Sequence, residues 1–357
     1  MNIYLMDGLN GITNIVDAYE SIIWNNQYWG KSEFQLTVAG TDENVAKLQK
    51  KKLLVRDIDC SKNEYHNVMQ IQKTSHQYDV EKGWQLTVSG TGLKNITKQR
   101  IIINQTTLSG KVEPLIRQII IDNIIDPVDT NRKINNFILD AEAGLSDEFE
   151  ATDDQVFGQY VSEWVESVCQ KYSCGWDVYI KNGKYVFKLY RGADRTYNQN
   201  ENVPVVFSPE FDNLLSSTYE SDITEYKNAG VVGGEGEGSA QRMKTVGVAS
   251  GLDRYEMYID GSSVSGNGQI ITLDQYMNML ESFGNEELVK TQNETDKVEG
   301  ELIANGMYKL NQDFFLGDLV QVKNQDYMSA KSRIIEIIYS EDSNGKTIIP
   351  TFSDFVS

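Results

Sequence analysis

The sequence contains few of the residues on which most metal, disulfide and acid–base sites depend. Its 357 residues include two histidines, three cysteines and five prolines. An odd and low number of cysteines predicts no disulfide framework. His66 and His76 fall in one predicted strand, and ten residues at about 3.3 Å each separate them too far to share a metal ion. Cys169 and Cys174 lack the second ligand pair of a zinc site. We therefore expect neither a metal nor another cofactor.

Positive charge is also scarce. There are 33 Lys and Arg residues against 52 Asp and Glu, which gives a formal net charge of −19. A protein that coats nucleic acid needs clustered cations to displace counterions from phosphate. Binding to an anionic membrane is disfavoured for the same reason. Two interpretations of the acidic composition remain: it keeps the protein soluble, or it forms a surface that repels nucleic acid.

Long hydrophobic runs are absent. The most apolar window, residues 119–125, is interrupted by Asp122 and Asn123, whereas a membrane span needs about 18 or more apolar residues. The N-terminus has Asp7 where a signal peptide would be apolar. We expect a protein that is made in the host cytoplasm, is soluble there and does not insert into a membrane.

Motifs of enzymes are missing as well. No G-x-S-x-G, H-E-x-x-H or EF-hand pattern occurs. The glycine-rich stretch 233–238 lacks both the last glycine of a dinucleotide loop and the lysine of a phosphate loop, so it predicts a hairpin tip. Glu163 with Glu166, or Asp153 with Asp154, could form an acid–base pair. A cell-wall hydrolase therefore stays open as an alternative, but we expect no enzyme.

The pattern of apolar residues predicts strands at both ends of the chain. Residues 34–38 and 84–88 alternate between apolar and polar. They belong to two nearly identical segments, FQLTVAGT and WQLTVSGT. Either a strand–turn–helix unit is duplicated, or the same local structural requirements selected the same residues in two places. A long strand is predicted over 65–78. Further strands are predicted over 217–223, 226–232, 244–249, 254–259, 317–322, 333–340 and 346–352.

Helical periodicity predicts a different middle section. Apolar residues recur at helical spacing over 111–126 and 155–172, and a short helix is predicted over 42–52. Asn182-Gly183 between two alternating runs predicts a hairpin. The fold class is therefore α+β. The predicted domains are a first strand-rich module over 1–95, a helix and hairpin lobe over 96–208, and a second strand-rich module over 209–357 with an inserted helix near 273–291.

Aromatic residues cluster ahead of the first predicted strand. Trp24, Tyr28 and Trp29 lie within six positions. Such a cluster packs in a core, or it forms an exposed site for a partner protein or a sugar. A glycan-binding receptor module is therefore a further alternative.

Five strings then carry a resemblance to a known family. They are SIIWNNQYWGKSEFQLTVAGT, KLYRGADRT, EYKNAGVVGGEGEG, GLDRYEMYID and FLGDLVQV, and they occur in that order. Together they resemble the tail hub proteins of long-tailed phages and prophages. That group is similar to the baseplate hub of contractile tails and to the N-terminal part of tail-associated lysins. The resemblance extends over about residues 1–355.

The resemblance implies a structural role in the virion tail tip. Members of this group form a homotrimeric ring with two tube-like β-barrel modules per subunit, which together match a six-fold tail tube. The implied partners are the distal tail protein or last tube ring on one side, and a spike, fibre or lysin on the other. DNA passes through the ring without specific binding. Because the sequence ends at Ser357, we expect no lysin domain.

Charged residues inside these strings are candidates for contacts that fix the register of domains or subunits. We expect this role of Arg191, Asp194 and Arg195 in KLYRGADRT, and of Arg254 and Glu256 in GLDRYEMYID. The alternative is ordinary surface ion pairs, worth about 0–1 kcal/mol each. With Trp24, Tyr28 and Trp29, these five residues complete the predicted interface set.

Overall fold

A computed structural model describes residues 1–16, 18–149, 155–211, 213–265, 271–289, 291, 295–302, 307–323 and 329–353. The chain divides into two compact units. The main unit combines Met1–Thr218 with Val298–Ser357, and the inserted unit is Tyr219–Lys297.

Strands account for most of the regular structure. In chain order they are β1 (Ile3–Met6), β2 (Ile12–Val16), β3 (Ser21–Gln27), β4 (Glu33–Ala39), β5 (Leu53–Arg56), β6 (Cys60–Ser61), β7 (Glu64–Tyr65), β8 (Met69–Asp79), β9 (Gly83–Gly92), β10 (Thr106–Thr107), β11 (Phe137–Leu139), β12 (Gln155–Val156), β13 (Gly175–Lys181), β14 (Lys184–Tyr190), β15 (Val206–Phe207), β16 (Leu214–Asp222), β17 (Ala229–Gly233), β18 (Met243–Val246), β19 (Glu256–Asp260), β20 (Thr295–Leu302), β21 (Leu319–Lys323), β22 (Ser329–Asp342) and β23 (Gly345–Phe352).

The described helices are few. They are α1 (Asp42–Lys47), α2 (Val112–Ile120), α3 (Val161–Lys171) and α4 (Leu273–Val289). The Thr41 hydroxyl caps α1 by accepting a hydrogen bond from the Asn44 amide at 3.2 Å, a favoured N-cap arrangement. A π-helical turn, Ile121–Ile125, continues α2. The helix ends before Pro127, because proline cannot extend it. None of these helices has the length and apolar composition to cross a bilayer.

One large sheet joins the two strand-rich ends of the chain. Its strand order is β16-β20-β23-β22-β3-β4-β9-β8-β5-β1-β2, with β21 and β15 attached beside β22. The pairing of β22 with β3, from Glu336↔Gln27 to Glu341↔Ile22, makes the connection. The described strands of this sheet follow an open path, and none of the described sheets closes into a barrel.

The two similar segments of the sequence are direct neighbours in this sheet. β4 pairs antiparallel with β9, with Leu36 opposite Val88 and Val38 opposite Leu86. All four side chains are buried in the same core as Trp24 and Phe34. The two similar segments thus pair Leu with Val twice and fill one face of one sheet.

A second core lies in the middle lobe. There α2 and α3 pack against the sheet of β11, β14, β13, β7 and β6. The predicted hairpin is confirmed: β13 and β14 are joined by Asn182 and Gly183, which both have positive φ, as a type I′ turn requires. The helix predicted over 111–126 is present as α2 and its π turn.

Several predicted elements have other bounds in the structure. The helix predicted over 42–52 ends at Lys47. The helix predicted from residue 155 begins only at Val161, because Val156 pairs with Thr106 and Tyr160 bridges to Ile101 in extended segments. The strand predicted over 65–78 begins at Met69, so His66 and His76 are not in one strand. Asp153 and Asp154 lie outside the described residues.

The inserted unit is a small sheet covered by one helix. Its strand order is β18-β17-β19, with β17 antiparallel to β18 and parallel to β19. Helix α4 packs on one face, where Val232, Val246 and Ile259 meet Tyr276 and Leu280. The strings EYKNAGVVGGEGEG and GLDRYEMYID supply the parallel pair. The fold as a whole is mixed α+β, and the division into 1–95, 96–208 and 209–357 stays a prediction.

Candidate functional site

The candidate acid–base pair, Glu163 and Glu166, lines one pocket together with Lys94 and Lys98. No three His, Cys, Asp or Glu residues lie close enough to hold a metal ion in the part of the chain that the structure describes. His66 stacks on Tyr179, with ring centroids 4.6 Å apart. Glu163 forms an ion pair with Lys98 at 2.8 Å. Burial raises the pKa of Glu166.

The outer face of the large sheet carries mainly hydroxyl and amide side chains. It lies opposite the core residues of β3, β4 and β9, and its rows are set by the strand register. Hydrogen bonds link neighbouring rows, such as Thr37 with Thr87 at 3.1 Å and Ser340 with Thr347 at 2.6 Å. The residues of these rows are Ser21, Ile23, Asn25, Glu33, Gln35, Thr37, Lys73, Ser75, Gln77, Thr87, Ser89, Thr91, Glu336, Ile338, Ser340, Asp342, Thr347 and Ile349.

Charge on this face is low and mostly negative. Lys73 is the one cation in those rows, against Glu33, Glu336 and Asp342. Beside them Lys31 forms an ion pair with Glu33 at 2.6 Å. Glu336 accepts a hydrogen bond from the Asn25 amide at 2.6 Å. Such a surface offers no clustered cations to a phosphate backbone.

The hairpin of β8 and β9 has an open edge. β5 pairs with β8 only at Met69 and Gln70, while β9 accompanies β8 to its end at Asp79. No described strand lies beside the outer half of β8, residues 72–79. An unpaired edge of this length is a template for another strand.

The tip of this hairpin is aromatic and exposed. Tyr78 and Trp84 contact each other, with ring centroids 5.3 Å apart, and they are 57% and 60% exposed. Val80 between them is also exposed. Large apolar side chains at the end of a polar hairpin are typical of a contact surface. The sequence interpretation missed this site, although Tyr78, Val80 and Trp84 stood at the predicted turn.

The predicted aromatic cluster lies inside the main unit. Trp24 is fully buried, and the Arg56 guanidinium lies 5.5 Å from its ring centroid. The half-buried Trp29 donates a hydrogen bond from Nε1 to the Cys174 carbonyl at 3.0 Å. A role of these two residues in a partner interface stays a prediction.

Tyr28 lies at a junction of three segments. A Cβ at Gly175 or at Gly317 would overlap its ring, so glycine is required at both positions for this close packing. The backbone amide of Gly192 faces the Tyr28 hydroxyl at 3.4 Å. Burial raises the pKa of Tyr28 to about 12.

The buried carboxylate of Asp318 joins the same segments. It accepts hydrogen bonds from Arg195 Nε at 2.7 Å, the Ala193 amide at 2.8 Å and the Phe315 amide at 2.9 Å. Three of the five recognised strings thus meet at Tyr28 and Asp318. Asp318 and Gly175 were missed, since neither stands in a pattern that predicts burial.

The other predicted polar residues make contacts within their own units. Arg191 donates to Asp147 and to the Tyr172 carbonyl, both at 2.8 Å. Asp194 accepts from the Thr196 amide at 2.8 Å. In the inserted unit, Arg254 Nε donates to Glu256 at 2.6 Å. A contact of these residues with another subunit stays a prediction.

Lys94 is a further buried residue that no sequence pattern predicted. Its ammonium donates to the carbonyls of Gln27 at 2.7 Å, Tyr28 at 3.0 Å and Gly30 at 3.2 Å. It lies 5.1 Å from the centroid of the Trp176 ring. Burial lowers the pKa of Lys94 to about 8. Lys94 therefore fixes the turn that carries Tyr28.

Comparison with known proteins identifies the fold. A family model described as siphovirus ReqiPepy6 Gp37-like protein matches residues 2–353. The 43 kDa tail protein of prophage MuSo2 from Shewanella oneidensis has a TM-score of 0.58 at 12% identity, over 99% of this chain and 98% of that one. A tail protein from Neisseria meningitidis has a TM-score of 0.57 at 12% identity, over 99% and 96%. No curated protein sequence matches.

Proposed function

The chain belongs to the family of siphovirus ReqiPepy6 Gp37-like tail proteins, and on that premise we propose that it is the hub of the tail tip. In this proposal three copies form a ring on the tail axis. The ring joins the tail tube or distal tail protein to the host-facing tip, and DNA passes through it. The role is structural and not catalytic.

The proposal of a ring rests mainly on the open edge of β8. A ring of identical subunits needs a contact between two different patches of the same chain. The large sheet offers two such edges: β16 terminates its strand order at one end, and the outer half of β8 is unpaired beyond the short pairing of β8 with β5. Strand addition between neighbouring copies would continue the sheet around the axis. The two strand-rich ends would then act as the two barrel-like modules of each subunit.

The composition of the outer sheet face supports the passage of DNA. Hydroxyl and amide groups hydrogen-bond with water and with each other. The two cations there, Lys31 and Lys73, are outnumbered by Glu33, Glu336 and Asp342. Acidic groups repel phosphate over about 8 Å in physiological salt. We assign this face to the wall of the channel.

The remaining parts of the proposal concern partners. The chain is a component of the virion tail, and the distal tail protein or last tube ring, and a spike, fibre or lysin, are the proposed neighbours. The predicted modules 1–95 and 209–357 would contribute to the ring, with the lobe 96–208 between them.

Mass measurement in solution, combined with negative-stain imaging, tests the hub. We expect a species of three times 40.4 kDa and particles with three-fold symmetry and a central opening. Because the ring can depend on its neighbours, the same measurement is made with the distal tail protein added. Monomers under both conditions would contradict the proposal.

A further inference from the structure

The sheet of the inserted unit leaves one face uncovered. Helix α4 covers the face that carries Val232 and Ile259. On the other face, Val231 stands between Thr245 and Tyr258. Tyr258 is 60% exposed, and Met243, opposite Gly233, is 51% exposed. No described helix or strand of the unit packs on this face.

Tyr258 is held in place although it is exposed. Its ring lies over Gly233, where a Cβ would overlap the hydroxyl. Gln241 Nε2 lies 3.3 Å from the same hydroxyl. A side chain that is already ordered loses less entropy on binding, and Tyr and Met are enriched in protein interfaces. The open face is therefore arranged as a contact surface.

The excess of acidic residues in the inserted unit favours a positively charged partner. Residues 223–265 and 271–289 contain ten Asp and Glu but four Lys and Arg. Two of the four cations are paired with acids of the same unit, Lys244 with Glu281 and Arg254 with Glu256. Glu256 and Asp260 lie on the open face beside Tyr258.

The same face of a second copy is disfavoured as the occupant. Two such faces would bring their own Glu256 and Asp260 carboxylates together, and like charges opposed across a contact reduce affinity. A positively charged surface is attracted by the excess of acids in this unit. It meets an apolar centre bordered on one side by Asp260 and by Glu256, which is paired with Arg254.

We propose that the open face of the inserted unit, centred on Tyr258 and Met243, docks a basic surface of a different protein of the tail tip. This inference rests on the proposed function only in placing the partner in the same tail. Tyr258 and Met243 form the apolar centre of the contact, and Glu256 and Asp260 form its acidic rim.

Binding of the full chain to each separately purified tail protein of the same virion tests the inference. The test variant is Met243→Ser with Tyr258→Ser, and the matched control is Leu273→Ser with Met279→Ser, which removes two exposed apolar side chains of α4. Circular dichroism checks that both fold. Affinities are measured at 50 mM and 500 mM salt, and ring formation is recorded on the same samples.

We expect one tail protein with a basic surface to bind. The test variant should weaken it at least tenfold, high salt should weaken it at least tenfold because screening shortens the reach of the charges, and the control should stay within twofold. Absence of any binding partner, unchanged binding by the test variant, or binding indifferent to salt would overturn the inference. If rings form but the docking inference fails, the proposed hub function is unaffected. If binding depends on Tyr258 but no rings form, only the proposed hub function is contradicted.

Discussion

Single buried side chains hold the backbone where distant segments meet. Asp318 binds Arg195 and two backbone amides, and Lys94 binds three carbonyls. Buried charges persist only when such partners satisfy them. Arg195 was selected from its string as a register-fixing residue. Its partner Asp318 could not be predicted, because the contact joins positions 123 residues apart in the sequence.

Replacement of Asp318 by alanine should destabilise the main unit by about 3 kcal/mol. The change leaves Arg195 and two amides without their acceptor, and breaking a buried pair costs about 3–5 kcal/mol. Urea unfolding measures the loss. Glu256→Ala, which breaks an exposed pair, should cost about 0–1 kcal/mol; equal losses for the two variants would refute the assignment.

Lys94 should make stability depend on pH in the alkaline range. Its pKa is about 8 in the folded chain and about 10.4 when unfolded, so burial of the ammonium opposes folding most strongly below pH 8. The free energy of unfolding of the wild type, relative to Lys94→Met, should rise by about 2 kcal/mol between pH 7.5 and 9.5. Urea unfolding at both pH values checks this. A difference that stays constant would count against a lowered pKa.

Secondary-structure elements form as their sequence patterns predict where interactions between residues close in the sequence determine them. The Asn182-Gly183 hairpin and α2 form as predicted, since turn chemistry and helical spacing are local. The start of α3 does not, because Val156 and Tyr160 pair with Thr106 and Ile101, which are 50 and 59 residues away in the sequence. Gly284 shows the same limit. Helix propensity disfavours a glycine inside α4, but this glycine lies where the helix approaches Val232.

Gly284→Ala should therefore destabilise the inserted unit. Helix propensity alone predicts a gain of about 1 kcal/mol, but the new Cβ overlaps Val232, and overpacking costs about 1–3 kcal/mol. Thermal unfolding measures the sign. Asn285→Ala, at the exposed neighbouring position, should be neutral or slightly stabilising. A stabilised Gly284→Ala variant would mean that α4 lies farther from the sheet.

Lysines on the open edge of β8 should block the ring without unfolding the chain. Ser75→Lys with Gln77→Lys places two cations beside an incoming strand, which is how natural edges avoid pairing. Sedimentation should show monomers at concentrations where the wild type assembles. The matched control is Asn104→Lys with Thr107→Lys, which adds the same charge at exposed positions outside β8. Normal rings from the β8 variant would exclude this edge as the contact.

The whole molecule combines a continuous sheet with an acidic surface. The resemblance of five strings predicted a tail protein, and the family match confirms it. Composition predicted the charge but not its location, and the strand-rich ends were predicted as separate modules. Their union through β22 and β3 depends on pairing across about 300 residues, which no local pattern encodes. The open face of the inserted unit could not be predicted either, because it depends on which side of the sheet α4 packs against.

A density map of the intact virion tail tip tests the central claim most directly. The account predicts three copies of this chain around the tail axis, with the face that carries Thr37, Thr87 and Ser340 lining the channel. A chain that lies away from the axis, or one that turns this face toward other proteins, would contradict it.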